Sequence, residues 1–385
     1  MGTEVKPLGV KCNIQCQYCY QNPIRDAGNL PHRYDLNKIK TAIEAEGGAF
    51  TLFGGEPLLM PKRDLEELWA WGLARFGRNS VQTNGTLIDD EHVDMFKRYR
   101  VHVGFSLDGP GELNDARWGG TLENTRRLTA ASHAAIDRVC REGLHPSIII
   151  TLHRANATAE KLPALHRWIR RLDKLRIRQV RLHLLEHESS EVRAKYGLSV
   201  DENVHALMGL ANLETALKRV RFDVFADMRN LLRGQDQKVA CVWGACDPYT
   251  THAVHGVEGN GERSNCGRTN KDGIDYVKSD TVGFERYLAL FQTPQEFGGC
   301  KDCRFFLMCR GQCPGTAIDG DWRNRSEYCE VWKAVYTALE TEMAGSGIEP
   351  LSLSPRRGRM EQRFMEAWSR GRNSSMFYAG STLDG

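Results

Sequence analysis

Eleven of the twelve cysteines in this 385-residue chain fall into two groups, and that grouping restricts the possible folds more than any other feature. Three lie within eight residues, in the run Cys12-Asn13-Ile14-Gln15-Cys16-Gln17-Tyr18-Cys19. Eight more lie between Cys241 and Cys329, where Gly is frequent and regular periodicity fades. A segment of that kind has little apolar core of its own, and metal sites can supply the missing stability. Disulfides are the competing use for so many thiols, and they require an oxidising compartment. The N-terminus has no apolar stretch of signal-peptide form, and no later segment is apolar for long enough to cross a bilayer. Lys6 breaks the myristoylation pattern that Gly2 would begin. The expected location is therefore cytoplasmic, where thiols stay reduced and metal binding is their leading use. With 52 basic and 49 acidic residues the net charge is +3, too balanced to argue for a nucleic-acid or membrane partner.

Up to residue 186, short apolar runs alternate with longer stretches of helical period. The runs are Val5–Val10, Ala49–Phe53, Ser80–Gln82, Val101–Leu107, Ser147–Leu152 and Val180–Leu185. Between them, Asp35–Glu46, Asp64–Phe76, Asp89–Tyr99, Leu122–Arg141 and Thr158–Leu172 repeat apolar residues at helical spacing. This alternation over residues 1–186 predicts a parallel α/β sheet, either an open barrel or a doubly wound fold. Residues 187–237 read as a helical bridge, clearest at Asp201–Val220. Residues 238–335 read as the Cys-rich domain and 336–385 as a C-terminal helix and polar tail. Met360, Phe364 and Trp368 fall at helical spacing there, but the basic, polar composition predicts a frayed or loosely docked helix.

Three thiolates on one loop can hold three corners of a cubane cluster and leave one iron open to a chelating cofactor. By spacing alone, a zinc site completed by a distant His or Cys is the alternative. Further motifs end the next strands: Gly54-Gly55-Glu56-Pro57, Thr83-Asn84-Gly85 and Ser106-Leu107-Asp108-Gly109. Each alone could be an ordinary turn. Ligand sites in parallel α/β folds nevertheless lie at these carboxyl ends. The Cys-x3-Cys-x2-Cys run, with an aromatic before its third Cys and these motifs following in order, resembles the radical S-adenosylmethionine (SAM) superfamily. That resemblance implies a partial (β/α)6 TIM-like barrel. It implies a [4Fe-4S] cluster on Cys12, Cys16 and Cys19, whose free iron binds SAM. It also implies SAM contacts from Tyr18, Gly54, Gly55, Glu56, Pro57, Thr83, Asn84, Ser106 and Asp108. Arg117 is the candidate partner of the SAM carboxylate, and Leu185 packs either on the adenine or in the core.

The second group runs Cys241, Cys246, Cys266, then Cys300-x2-Cys303-x5-Cys309-x3-Cys313, then Cys329. It resembles the SPASM domain, a C-terminal extension of many radical SAM enzymes. The resemblance implies two further [4Fe-4S] clusters, one on Cys241, Cys246, Cys266 and Cys313, the other on Cys300, Cys303, Cys309 and Cys329. By number alone, eight thiols would serve two zinc ions equally well. Fully ligated clusters have no open iron and read as electron carriers. Cys140 stands outside both groups and reads as a small buried hydrophobe.

The resemblance implies an enzyme, an oxidoreductase that modifies a ribosomally made peptide or protein and draws electrons from a flavodoxin- or ferredoxin-like donor. Twin auxiliary clusters favour an oxidative outcome such as a cross-link, because the second electron needs an acceptor. A cluster motif beginning at residue 12 leaves presentation of the peptide to a separate recognition protein, or to the barrel mouth and tail. The anaerobic sulfatase-maturating branch is disfavoured. Its members share an acidic residue after the equivalent of Cys266, and this chain has Gly267. A small-molecule radical SAM dehydrogenase is the alternative, and a non-enzymatic zinc or iron–sulfur interaction protein the remote one. His153 and Arg154 end the fifth strand, and Glu186, His187 and Glu188 follow the sixth. They fit a solvated surface at least as well as a barrel mouth.

Overall fold

The computed structural model describes residues 2–23, 33–251, 255–269 and 281–377. Strands β1 (Thr3–Lys6), β2 (Phe50–Leu52), β3 (Asn79–Thr83), β4 (Val101–Ser106), β5 (Ser147–Leu152) and β6 (Gln179–Leu184) pair in parallel in chain order. Helices Leu36–Glu46, Lys62–Phe76, Asp90–Arg98, Leu122–Arg141 and Leu162–Lys174 connect them, giving the expected α/β partial barrel. The period-two pattern explains the layering. Along β5, Ile148, Ile150 and Leu152 are wholly buried, and Ser147, Ile149 and Thr151 alternate to the other face. Thr125, Thr129, Ser132, Ala135, Ile136 and Val139 share the buried face of Leu122–Arg141. Asp35 caps the first helix as expected, its carboxylate accepting from the backbone of Asn37 and Lys38. β1 is shorter than the run Val5–Val10. The chain turns after Lys6, whose carbonyl accepts from Gly9, a residue at φ 53°. That turn aims the chain at Cys12.

Three more strands extend the sheet. β7 (Arg221–Phe222) lies beside β6, β8 (His255–Glu258) runs parallel to β1, and β9 (Arg263–Ser264) pairs antiparallel with β8. The nine-stranded order is β7-β6-β5-β4-β3-β2-β1-β8-β9. Gly256 permits the last pairing, because a Cβ there would stand 2.3 Å from Ser264 Oγ.

The chain forms two compact units, one from residues 2–222 and 255–277, the other from 223–254 and 278–385. The boundaries expected at 187, 238 and 336 are not the unit boundaries. β7 draws the bridge as far as Phe222 into the barrel unit, and pairing of β8 with β1 brings a Cys-rich segment there too.

The second unit has a denser core than its composition suggests. Trp243 packs edge-on against Trp332 and Tyr336, and Phe305 stacks on Tyr336. The helix Arg357–Ser369 is not frayed. Met360, Phe364 and Trp368 are buried, and Trp368 packs against Tyr287 and Phe306. Asp236 fixes the following segment by accepting from Ser375 Oγ and Met376 N, and it pairs with buried Arg310. Trp368→Ala is therefore expected to destabilise this unit by about 3–5 kcal/mol, read from chemical unfolding followed by circular dichroism.

Candidate cluster and cofactor site

The loop carrying Cys12, Cys16 and Cys19 is held between two backbone clamps. On one side, the N–H groups of Gly55 and Glu56 donate to the carbonyls of Gly9 and Lys11 at 2.8 Å. Only glycine fits at 55, since a Cβ would stand 2.0 Å from the Lys11 carbonyl oxygen. On the other side, the N–H groups of Gln15 and Gln17 donate to the carbonyls of Trp118 and Ala116 at 2.7 and 2.8 Å. The loop's side chains are fixed as well. Gln17 accepts from Tyr196 and Lys195, and Tyr18 packs with Ala116, Leu185 and Tyr196. Leu185 is thus part of the packing around Tyr18.

The strand-end motifs meet around this loop. Glu56 is buried beside Pro57 and bridges the ends of β2 and β3. One of its oxygens accepts from Leu58 N and Thr83 Oγ1, the other from Asn84 N. Asn84 donates to Asn13 at 2.8 Å and stands 3.9 Å from Cys12 Sγ. Ser106 accepts from Gln82 at 2.7 Å. Burial raises the Glu56 carboxyl to about 7, against the pull of the Asn84, Leu58 and Thr83 hydrogen bonds. A raised carboxyl stabilises the fold fully below its ordinary value of 4.5, and that contribution is lost as pH rises to 7. Chemical unfolding at pH 5 and pH 7 should show this decline, and Glu56→Gln should lack it.

Asp108 is wholly buried and accepts from four groups. They are Tyr18 Oη, Arg117 at 3.1 and 3.4 Å, His153 Nε2 at 3.3 Å and Thr151 N at 3.0 Å. Burial alone would raise its carboxyl. Arg117, His153 and Tyr18 outweigh burial and hold it well below the usual carboxylate range. Asp108 therefore anchors the site from inside. Arg117 spends its bidentate edge on Asp108, and its remaining Nη1 stands 4.0 Å from Cys16 Sγ. His153 is wholly buried, with its ring 4.8 Å from that of Tyr18, so it belongs to the site and not to the surface. Its sequence signal was its place at the end of β5.

Glu186 is also buried and ion-paired with Arg268, two residues beyond Cys266. At Gly267 a Cβ would come within 3.0 Å of the Tyr20 ring. Tyr20 thus fills the space a side chain would need. Cys241, Cys246 and Cys313 belong to the second unit and Cys266 to the barrel unit.

In the second unit, Cys300, Cys303, Cys309 and Cys329 line one small cavity with Arg325, Lys333, Trp332 and Tyr336. Burial, then the nearness of Cys329 and Cys303, pushes the Cys300 thiol up to about 12. Burial, then Cys329, Cys300 and Cys303, raises the Cys309 thiol well above the usual range. Burial and then Cys16 push Cys12 up to about 12. Thiols crowded in this way hold their protons until a metal displaces them. Four sulfur donors around a cavity, with Lys333 and Arg325 to offset thiolate charge, fit an iron–sulfur cluster. Among the described residues, no three Cys, His, Asp or Glu side chains are placed to hold a single metal ion. The backbone of Arg310, Gly311 and Gln312, between Cys309 and Cys313, is left-handed throughout, a conformation that costs energy and gathers at ligand clamps.

Residues 7–169 match the family model of the Radical SAM superfamily, so this chain carries a radical SAM domain. It is homologous to anaerobic sulfatase-maturating enzymes. It is 32% identical over 124 residues to the serine-type enzyme of Bacteroides thetaiotaomicron, covering 29% of this chain and 30% of that one. It is 27% identical over 218 residues to the serine-type enzyme of Klebsiella aerogenes, covering 54% and 52%. The chain thus spans about half or less of the length of these curated relatives. Its fold is that of anSMEcpe solved with bound AdoMet and the Cp18Cys peptide, with TM-score 0.66 and 18% identity over 89% of this chain and 96% of that one. These homologues correct the expectation drawn from Gly267. The chain is homologous to members of the branch that Gly267 disfavours. No helix among the described residues is long and apolar enough to cross a membrane.

Proposed function

We propose that this chain is a radical SAM oxidoreductase that modifies a side chain of a peptide or protein. The observation that carries the reading is the clamped loop of Cys12, Cys16 and Cys19 at the carboxyl ends of β2, β3 and β4. Those three thiols hold a [4Fe-4S] cluster, and the bound cluster supplies the electron that cleaves SAM to methionine and a 5′-deoxyadenosyl radical. Tyr18, Gly54, Gly55, Glu56, Pro57, Thr83, Asn84 and Ser106 form or support the SAM seat, while Asp108 orders it from beneath. Cys241, Cys246, Cys266 and Cys313, and Cys300, Cys303, Cys309 and Cys329, would hold two further [4Fe-4S] clusters, which would supply an acceptor for the second electron of an oxidation. The sulfatase-maturating homologues and the peptide bound to anSMEcpe favour a peptide substrate. A cross-link or a side-chain oxidation in place fits equally, and both remove two hydrogens. A flavodoxin- or ferredoxin-like protein supplies the first electron, and the peptide is presented either by a separate recognition protein or by the barrel mouth and tail.

The test is to incubate the reduced holoenzyme and SAM with a library of synthetic peptides and read their masses. Loss of two hydrogens from a peptide, matched by 5′-deoxyadenosine formation, is the expected result. An unchanged mass with an inverted stereocentre would sink the oxidative reading. Turnover of a small molecule and of no peptide would favour the dehydrogenase alternative.

A further inference from the structure

Arg117 was expected at the SAM carboxylate, but its surroundings aim it elsewhere. The carbonyls of Ala116 and Trp118 accept from Gln17 and Gln15, so the two clamp hydrogen bonds flank Arg117 on one strand of the chain and Cys16 on the other. The two residues are therefore in register. The guanidinium is fixed from two further directions. Asp108 takes Nε and Nη2, and the Tyr18 ring lies 5.9 Å from Cζ. The third nitrogen, Nη1, is left facing Cys16 Sγ at 4.0 Å. With only 10% of its side chain exposed, Arg117 keeps this contact out of bulk water, whose high dielectric would weaken the charge. Asn84 Nδ2 meets Cys12 Sγ in the same way from the end of β3.

We infer that Arg117 is a positioning residue for the redox properties of the N-terminal cluster, holding a charged N–H donor against the Cys16 sulfur. The inference rests on the proposed radical SAM reading. Hydrogen bonds to ligand sulfurs and nearby positive charge favour the reduced, more negative state of a cluster and raise its potential. Asp108 is the lever's fulcrum. It fixes the guanidinium's orientation and takes up the edge that would otherwise clamp a carboxylate.

The experiment is an EPR-monitored redox titration of the reconstituted holoenzyme. The N-terminal signal is recognised by its change when SAM is added, and iron per chain is counted alongside. Arg117→Gln is expected to load iron fully and to shift that potential to more negative values, leaving the SAM-insensitive signals unmoved. Arg117→Lys, which keeps the charge and loses the fork, is expected to fall between. Full loading with an unmoved potential in Arg117→Gln would overturn the inference, as would equal shifts in every signal. Loss of iron from both variants would make Arg117 purely structural and overturn it too. A wild-type holoenzyme with no SAM-sensitive signal would instead refute the radical SAM reading itself, so the two failures are told apart.

Discussion

Cys16→Ala is expected to abolish SAM cleavage and to lower the iron content of the reconstituted protein from about 12 to about 8 atoms per chain. The loop presents Cys12, Cys16 and Cys19 as one unit, clamped by Gly55 and Glu56 on one side and by Ala116 and Trp118 on the other. Removing the central thiol leaves two ligands, too few to hold a cubane open at one iron only. The loop's backbone hydrogen bonds do not use the thiol, so the variant should fold. Cys309→Ala is the informative contrast. Its thiol lines the cavity shared with Cys300, Cys303 and Cys329. That variant should also lose about four irons. It should still cleave SAM and should fail to give oxidised product. Iron and sulfide analysis together with 5′-deoxyadenosine yield would separate the two roles.

The second large effect concerns Asp108. Asp108→Ala is expected to cost about 3–5 kcal/mol in stability, because it strands the buried Arg117 cation beside His153. The exposure of both side chains at the ion pair is small, 10% for Arg117 and 0% for Asp108, so water cannot replace the lost partner. The carboxyl is depressed in the fold, so its contribution is present above its ordinary value of 3.8 and is lost as pH falls. The Asp108→Ala variant should therefore start less stable than the wild type at neutral pH and show a shallower loss in acid. Chemical unfolding at neutral and acid pH measures both.

Residues of this kind mark where the sequence was legible and where it was not. The six core strands could be read because each is a short apolar run between amphipathic helices, and their order follows from simple alternation. β7, β8 and β9 could not. Arg221–Phe222 and His255–Glu258 carry no alternating pattern of their own, and they become strands only by pairing with β6 and β1. Charged residues dominate the composition of the helix Arg357–Ser369 and hide its docking, which three apolar residues on one face decide. The set Cys300, Cys303, Cys309 and Cys329 was legible because its spacing brings it around one cavity. Asp108 was found as part of a motif, but its partners come from the loop after β4 and from the end of β5. Only the fold brings Arg117 and His153 to it, turning an expected ligand contact into a buried anchor. The burial of Glu186 is hidden in the sequence for the same reason, since Arg268 lies 82 residues away.

One measurement bears most directly on the claim that this is a radical SAM enzyme. Anaerobically reconstituted protein is reduced, given SAM, and assayed for 5′-deoxyadenosine. The structure and its homology predict that 5′-deoxyadenosine and methionine form in equal amounts, and that Cys16→Ala forms neither. Iron-loaded, reduced protein that leaves SAM intact would contradict the account.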